Sequence, residues 1–318
     1  MTDLVSLDVG GTHARFALAS IAPDGGISLG EPVTLTTGDY PGLEAAWADF
    51  ARAAPGPVPR SAAIAAAGPV TGETIPLTNS PWVIDAAALR RQLGIEQVTL
   101  INDFGAVAHA VARVPNDQLV HVTGPDVPLP ERGTVSVIGP GTGLGVAHFH
   151  RYPGGYHVQA TEGGHVGFAP HDEFEDRLLA ALRVKYGRVA TERVNAGPGI
   201  GVIYAALGGD GLAEDRAIWE RGLAGQDELA AQAVERFCAS LGTVVGDYAL
   251  AHGASAVVLA GGLGLRLREL LPVSQFGERF RAKPRYEKMM AAIPVKLIVH
   301  PQPGLYGAAA AFALEHCR

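Results

Sequence analysis

The sequence has few cysteines, no run of positive charge and no long hydrophobic segment. Its 318 residues include two cysteines, Cys238 and Cys317, which form no motif, so we expect free thiols in a reducing compartment. The formal net charge is -7 and Lys and Arg do not cluster, which argues against a nucleic-acid-binding surface. No apolar run reaches the roughly 18 residues of a membrane span, and no basic segment precedes the first apolar stretch, as a signal peptide requires. These absences predict a cytoplasmic protein that binds neither nucleic acid nor membrane.

Glycine, by contrast, is abundant. It makes up 41 of the 318 residues, well above the usual share of about 7%. No collagen-like period explains the excess, so it points to tight turns and close approaches of the backbone to a ligand. The length predicts two domains at roughly 100–200 residues each, and alternating strand and helix patterns predict an α/β class. Segments 20–32, 113–133 and 208–228, rich in glycine, proline and charge, are predicted to be surface connections.

Two glycine-rich turns each join a pair of predicted strands. The first is Asp8-Val9-Gly10-Gly11-Thr12, and the second is Gly139–Gly145. The second lacks the lysine of a P-loop, and it leads back into a strand rather than into the helix of a dinucleotide fingerprint. Backbone N–H groups in such turns can point at an anion, and a threonine hydroxyl adds a donor. Each turn alone is equally consistent with a plain hairpin. Together they predict a bound polyphosphate.

Asn102 and Asp103 follow a predicted buried strand and precede a predicted helix. α/β enzymes place reactive groups at this position, and the Asn102 amide offers both the donor and the acceptor that sugar hydroxyls require. The alternative is that Asp103 caps the helix, and for this pair taken alone capping is the stronger interpretation.

A further polar cluster is Thr161-Glu162-Gly163-Gly164-His165. Its carboxylate and imidazole could both reach one small polar ligand, while a zinc site or a loose surface turn are the alternatives. Weaker signals are Glu192, ahead of a Gly-Pro-Gly turn, and Gly261-Gly262, where a strand enters a helix and a nucleotide could lie against the backbone. The whole set fits phosphoryl transfer to a polyhydroxy acceptor.

In this order the motifs resemble the bacterial glucokinase family, of the enterobacterial type, over nearly the whole chain. The matching segments include Asp8–Thr12, Leu77-Thr78-Asn79, Ile101–Phe104, Gly139–Gly145, Thr161–Phe168, Glu192-Arg193-Val194, Gly197-Pro198-Gly199, Ala260-Gly261-Gly262 and Pro303-Gly304-Leu305. The resemblance implies an α/β, actin-like (ribonuclease H-like) ATPase fold with two domains around an active-site cleft. It implies a small domain of residues 1–112, completed by the C-terminal helix 303–318, and a large domain of residues 113–302. His13, Ala196 and Pro284 depart from the usual residues of the family, and none of them belongs to the expected base or sugar site.

The resemblance also implies the reaction, ATP-dependent phosphorylation of glucose at its 6-hydroxyl, in a cytoplasmic homodimer. Asp103 is expected to be the general base. The expected sugar ligands are Asn79, Asn102, Asp103, Glu162, His165 and Glu192. The expected surface for ATP and Mg²⁺ comprises Asp8, which would hold the metal through water, and Gly10, Gly11, Thr12, Gly141, Thr142, Gly143, Gly261 and Gly262.

Other interpretations remain open. A kinase of the same fold could act on mannose or fructose, because a sequence does not show side-chain geometry. A non-catalytic, sugar-sensing regulator would carry a DNA-binding segment ahead of Asp8 and a cysteine cluster, and we expect neither here. A chaperone-like ATPase would have no use for the Asn102-Asp103 pair or the Glu162/His165 cluster.

Overall fold

Each of the two glycine-rich turns closes a β-hairpin, and each hairpin lies in its own six-stranded sheet. The computed structural model describes residues 1–211 and 213–317. The chain divides into two units. The first comprises Met1–Val114, Val158–Ala160 and the segment that begins at His300, and the second comprises Pro115–His157 and Thr161–Val299.

The first unit contains eight strands and four helices among its described residues. Its strands are β1 (Thr2–Val9), β2 (His13–Ile21), β3 (Ile27–Leu29), β4 (Val33–Thr36), β5 (Ser61–Ala66), β6 (Thr74–Pro76), β7 (Val83–Asp85) and β8 (Gln97–Asn102). Its helices are α1 (Leu43–Ala53), α2 (Ala86–Leu93), α3 (Asp103–Arg113) and the C-terminal helix (Pro303–His316).

The sheet of the first unit is built around β1. Its order is β3-β2-β1-β5-β8, with β4 also paired to β2. β1 is antiparallel to β2 and parallel to β5, which is in turn parallel to β8. Parallel strands are covered on both faces and therefore carry few polar residues. β5 shows this in its sequence, Ser-Ala-Ala-Ile-Ala-Ala, of which the last five residues are buried.

Small residues let the C-terminal helix lie close to the rest of the first unit. Ala63 and Ala65 of β5 face a cluster that contains Ala308, Ala309 and Phe312 of that helix. A Cβ atom at Gly307 would collide with the carbonyl oxygen of Ala106 in α3. The Ser6 hydroxyl of β1 also donates a hydrogen bond of 2.7 Å to the carbonyl oxygen of Leu305. The end of the chain is therefore an integral part of the first unit. Arg318, the last residue of the predicted helix 303–318, lies outside the described residues.

The second unit holds the remaining elements. Its strands are β9 (Leu119–Thr123), β10 (Gly133–Pro140), β11 (Leu144–Tyr152), β12 (Gly155–Thr161, whose residues 158–160 are assigned to the first unit), β13 (Ala254–Leu259) and β14 (Val295–Ile298). Its helices are α4 (Glu173–Tyr186), α5 (Glu192–Asn195), α6 (Gly199–Ala206), α7 (Asp215–Leu223), α8 (Glu228–Ala251), α9 (Gly261–Arg266), α10 (Phe276–Arg281) and α11 (Glu287–Ala291). The C-terminal helix is α12.

The second sheet repeats the arrangement of the first. Its order is β12-β11-β10-β13-β14-β9. β10 is antiparallel to β11 and parallel to β13, which is parallel to β14. In both sheets a hairpin with a glycine-rich turn is thus followed by two parallel strands beside its first strand. The repeated strand, turn and strand of the sequence corresponds to this repeated topology.

The predicted α/β class is confirmed, but the three predicted surface connections are wrong in part. Segment 20–32 contains β3, which pairs with β2. Segment 113–133 contains β9, a short strand that pairs with β14 at the edge of the sheet. Segment 208–228 contains α7, which buries Ile218 and Trp219. β9 and α7 are short and lie among glycine, proline and charged residues, so the composition of these segments did not indicate a strand or a helix. None of the helices in the described ranges has the length and apolarity that crossing a membrane would take.

A charged cluster ties three helices of the second unit together. Asp172 caps α4 and contacts Arg236 of α8 at 2.8 Å and Arg279 of α10 at 2.5 Å. Arg279 also lies 3.5 Å from Glu175. The side chains of Arg279 and Glu175 are only 9% and 3% exposed, and burial raises the pKa of Glu175. A lone charge in such a place is costly, so each partner needs the other.

We therefore expect Arg279→Ala to lower the free energy of unfolding by about 3–5 kcal/mol, because it leaves the buried carboxylate of Glu175 without its guanidinium partner, while Asp172 keeps Arg236. Urea denaturation followed by circular dichroism measures the loss. The matched control is Arg268→Ala, whose pair with Glu269 is exposed (53% and 85%) and should contribute at most about 1 kcal/mol. Equal losses in the two variants would contradict this account of the cluster.

Candidate active site

The carboxyl ends of three parallel strands meet at one edge of the first sheet. Val9 of β1 is in register with Ala66 of β5, and Ala66 is in register with Asn102 of β8. The turn after β1 and the Asn102-Asp103 pair after β8 therefore stand at the same edge. In open α/β sheets this edge is where ligands bind.

Asp8 lies just before the first glycine-rich turn and forms an ion pair with a neighbouring arginine. Arg15, opposite Asp8 in the hairpin, places Nη1 3.3 Å from Asp8 Oδ2. Burial raises the pKa of Asp8, while Arg15 acts in the opposite direction. The carboxylate also lies against the start of α12, because a Cβ atom at Gly304 would come within 2.7 Å of Oδ2. A cation bound beside Asp8 would compensate the cost of burying its charge.

The first turn is held from outside by Thr37 and Asn79. The Thr37 hydroxyl donates to the carbonyl oxygen of Gly11 at 2.7 Å, and the Thr37 backbone N–H donates to Thr12 at 3.0 Å. A Cβ atom at Gly11 would lie 2.8 Å from Cβ of Asn79, so only glycine fits this close contact. These bonds occupy carbonyl groups of the turn. Sequence analysis did not identify Thr37, since nothing in its local pattern distinguishes it from an ordinary loop threonine.

Asn102, and not Asp103, caps α3. Asn102 Oδ1 accepts hydrogen bonds from the N–H groups of Phe104 (2.9 Å) and Gly105 (3.0 Å), while its Nδ2 donates to Gly68 at 3.3 Å. Asp103 is the first residue of the helix, and its Oδ1 accepts from Phe104 N–H at 2.8 Å. The capping role that the sequence suggested for Asp103 is therefore wrong, because its neighbour fills it. Both side chains are held at the same strand end.

The second turn is closed by backbone hydrogen bonds. Gly141 N–H donates to Gly143 at 2.8 Å, and Gly197 N–H, from the Gly-Pro-Gly segment, donates to Gly141 at 2.7 Å. A Cβ atom at Gly143 would lie 3.1 Å from Oε2 of Glu192. The turn thus brings its own backbone against the Glu192 carboxylate, which sequence analysis had ranked among the weaker signals.

His165 lies between two carboxylates. Its Nδ1 is 3.4 Å from Glu192 Oε1, and its Nε2 is 3.9 Å from Glu162 Oε2. The structure therefore brings together the predicted residues Glu162, His165 and Glu192. The carboxylates approach different ring nitrogens rather than one common point, and among the described residues no group of three His, Cys, Asp or Glu is arranged to hold a metal. This arrangement favours a polar ligand over the zinc alternative.

The turn that carries Glu162 and His165 rests on β11. The Thr161 hydroxyl donates to Val146 at 2.7 Å and accepts from Gly163 N–H at 3.2 Å. Cβ atoms at Gly163 and Gly164 would collide with Val146 and Leu144. The two glycines therefore allow a close approach of two backbones, and the turn is not a loose surface loop.

Gly261 and Gly262 differ in their surroundings. Gly261 has a φ of 84°, and a Cβ atom on it would lie 2.7 Å from the carbonyl oxygen of Pro140. Its role in the structure is therefore the close approach of α9 to β10. A Cβ atom on Gly262 would have no neighbour within 4 Å, so this residue leaves open space beside the backbone.

A cavity of about 370 Å³ lies within the second unit, beside the second turn. Thr142 and Glu192 line it where it meets the turn, and Val202 and Ala205 of α6 form an apolar part of its wall. Arg193 lies over the ring of Tyr186 with a separation of 4.6 Å, and both line the cavity, as do Lys185, Ala196, Pro198, Gly201, Gly211, Ala213 and Asp215. Sequence analysis missed this cavity because its walls come from separate helices.

Comparison with known proteins agrees with this geometry. A model of the glucokinase family matches residues 5–315. The chain is 51% identical over 319 aligned residues to a glucokinase of Zymomonas mobilis, with 99% of this chain and 98% of that protein covered. The solved structure of a glucokinase from an Antarctic psychrotroph is similar with a TM-score of 0.86 at 31% identity, over 98% of both chains.

A hexokinase of the ROK group from Thermus thermophilus is similar in fold, with a TM-score of 0.70 at 22% identity over 99% of both chains. These likenesses confirm the predicted actin-like fold of the sugar kinases. The glycine-rich turns, the strand-end Asn102-Asp103 pair and the sequence match over nearly all residues together show that the chain belongs to the glucokinase family.

Proposed function

We propose that this protein transfers the γ-phosphoryl group of ATP to the 6-hydroxyl of glucose, giving glucose 6-phosphate and ADP. The observation that carries the proposal is the position of Glu192. One of its carboxylate oxygens faces the second glycine-rich turn, and the other faces His165. A phosphate-type turn and a cluster suited to hydroxyl groups thus share one residue.

Asp103 is the proposed general base. It lies in the first turn of α3, where negative charge is favourable, and Phe104 N–H fixes one of its oxygens. An ionised carboxylate can accept the proton of the 6-hydroxyl as that oxygen forms a bond to the γ-phosphorus and the bond to the bridging oxygen of ADP breaks. General-base assistance of this kind contributes about 10²–10⁴-fold to rate.

The proposed sugar ligands are Asn79 and Asn102 of the first unit and Glu162, His165 and Glu192 of the second. Carboxylates accept hydrogen bonds from hydroxyl groups, whereas amide and imidazole groups can both donate and accept. The Asn102 oxygen is already occupied by two helix N–H groups. Its amide nitrogen is therefore the part that would meet a sugar hydroxyl.

The two glycine-rich turns are the proposed phosphate-binding elements, with Gly10, Gly11 and Thr12 in one and Gly141, Thr142 and Gly143 in the other. Asp8 is the proposed magnesium residue. Mg²⁺ prefers oxygen ligands and retains several waters, so one carboxylate is sufficient. The raised pKa of the half-buried Asp8 is consistent with a site that a cation completes. When bound, Mg²⁺ would neutralise charge on the phosphates.

We propose the cavity beside Thr142 as the site of the adenosine part of ATP. Its volume of about 370 Å³ is within the range of small-molecule sites, roughly 300–1,000 Å³. Val202 and Ala205 supply apolar surface for a base, and Asp215 supplies an acceptor. Gly261 and Gly262 complete the proposed nucleotide surface, of which Gly262 has the open side.

Three parts of the proposal rest on the family resemblance. They are the homodimer, the cytoplasmic location, and the division into a small domain (1–112 with 303–318) and a large domain (113–302).

We expect Asp103→Asn to lower kcat by at least about 10²-fold, because the amide cannot accept the hydroxyl proton. It can still accept the bond from Phe104 N–H, so the helix start should persist. ADP release from ATP and Mg²⁺ measures the effect across glucose, mannose, fructose, galactose and no sugar. The matched control is Asp85→Asn, at another strand-to-helix junction of the same unit, where the side chain accepts from Ala87 N–H at 2.8 Å.

The control should keep its kcat, because asparagine caps a helix as well as aspartate does. Turnover by the wild type with mannose or fructose and not with glucose would replace the substrate and keep the mechanism. Folded wild-type protein without any sugar-dependent turnover would refute the kinase assignment.

A second test addresses the nucleotide cavity. Ala205 and Ala206 are adjacent exposed residues of α6, and only Ala205 lines the cavity. We expect Ala205→Phe to raise the KM for ATP by about tenfold through steric exclusion, a change of roughly 1.4 kcal/mol, while the KM for glucose stays the same. Ala206→Phe should alter neither constant. Steady-state kinetics with each substrate varied in turn measures both constants. An unchanged KM for ATP in Ala205→Phe would show that the adenine base binds elsewhere.

A further inference from the structure

The longest helix of the second unit reaches the proposed sugar site through one side chain. Tyr248 lies near the end of α8, a helix whose other buried residues mainly form the hydrophobic core. Its side chain is buried, and its hydroxyl donates a hydrogen bond to the carbonyl oxygen of Gly163, 85 residues away in the chain. Gly163 lies between Glu162 and His165, the two residues that the turn presents.

The carbonyl oxygen of Gly163 has two partners, and they differ in kind. Val166 N–H donates to it at 2.9 Å from within the turn, whereas Tyr248 donates to it from α8. The contacts of Gly163 and Gly164 with β11 limit how close the turn can come to the sheet. A hydrogen bond is directional, so the phenol also limits how the peptide plane of Gly163 can rotate. Rotation of that plane would move Glu162 and His165.

The phenol itself is held by a small polar cluster. Its ring stacks on His252 with centroids 5.7 Å apart. His252 Nδ1 is 2.8 Å from the hydroxyl of Ser136 in β10, and its ring lies 4.4 Å from that of His148 in β11. Burial raises the pKa of Tyr248 to about 12 and lowers that of His252 to about 4. At neutral pH the phenol therefore keeps its proton for donation, and His252 adds no charge beside it.

From this geometry we propose that Tyr248 is a positioning residue of the sugar site, which sets the orientation of Glu162 and His165 through the Gly163 peptide. The inference rests on the proposed function, because it assumes that those two side chains bind the sugar. The proposal implies that the Tyr248 hydroxyl strengthens sugar binding. The hydroxyl of Tyr248 bonds to Gly163 and not to the phosphate turns or Asp103, so we expect nucleotide affinity to change much less than sugar affinity.

The test removes only the hydroxyl. Tyr248→Phe should raise the KM for glucose and weaken glucose binding, measured by calorimetric titration, by about five- to tenfold, the usual effect of losing one hydrogen bond. The KM for ATP should stay within about twofold, for the reason just given. The matched control is Tyr204→Phe in the same unit, which loses a bond of 3.3 Å to Asp227 at the start of α8 and should leave glucose affinity unchanged. Thermal melting verifies that both variants are folded.

A double-mutant cycle distinguishes positioning from a general loss of stability. If Tyr248 acts through the turn, the effect of Tyr248→Phe on glucose binding should shrink to less than about twofold in a background that carries both Glu162→Ala and His165→Ala, because coupled residues are not additive. An unchanged factor in that background, or equal glucose affinity in Tyr248→Phe and Tyr204→Phe, would overturn the inference and leave the kinase assignment intact. Wild-type protein that neither binds nor phosphorylates a sugar would instead refute the proposed function, and the inference with it.

Discussion

The close approach of backbone to backbone at glycine is the constraint on which the rest of this structure depends. At Gly143 the missing side chain leaves room for the Glu192 carboxylate, and at Gly163 and Gly164 it lets a polar turn rest directly on β11. At Gly307 it lets α12 touch α3. A methyl group at any of these positions would push apart elements that carry the proposed functional residues. Part of the glycine excess of the sequence therefore arises because these close contacts require glycine.

The polar groups of the site are held mostly by backbone atoms. Asn102 is tied to three backbone groups, and Thr37 fixes the first turn through two of its carbonyl oxygens. Such bonds need no second side chain in the right rotamer, so they lose little conformational entropy. They also explain why a site rich in carboxylates can keep its shape with few cations close to it. Arg15, beside Asp8, and Lys185 and Arg193, which line the cavity, are cations that the structure shows near it.

Sequence patterns could predict the α/β class and most of the candidate residues because both depend on local signals, whereas the actin-like fold was expected from the family resemblance. Glycine turns, strand-end polar residues and hydrophobic periodicity are each visible in a few consecutive residues. The short elements β9 and α7 were missed because their buried residues are few and their neighbours polar. Thr37 and Tyr248 could not be found in this way. Their roles come from partners distant in the chain. The sequence pattern around Tyr248 indicates only a core position of a helix.

The division of the chain between its two units has a consequence for how the protein is made. The first unit needs α12, whose residues Ala308, Ala309 and Phe312 complete one of its hydrophobic clusters, yet α12 follows the whole of the second unit in the chain. A chain emerges from the ribosome N-terminal end first, and domains generally fold as units. Residues Met1–Val114 therefore lack this helix until the second unit has been synthesised. The second unit, continuous from Thr161 to Val299, is the one that can complete its core while the chain is still being made.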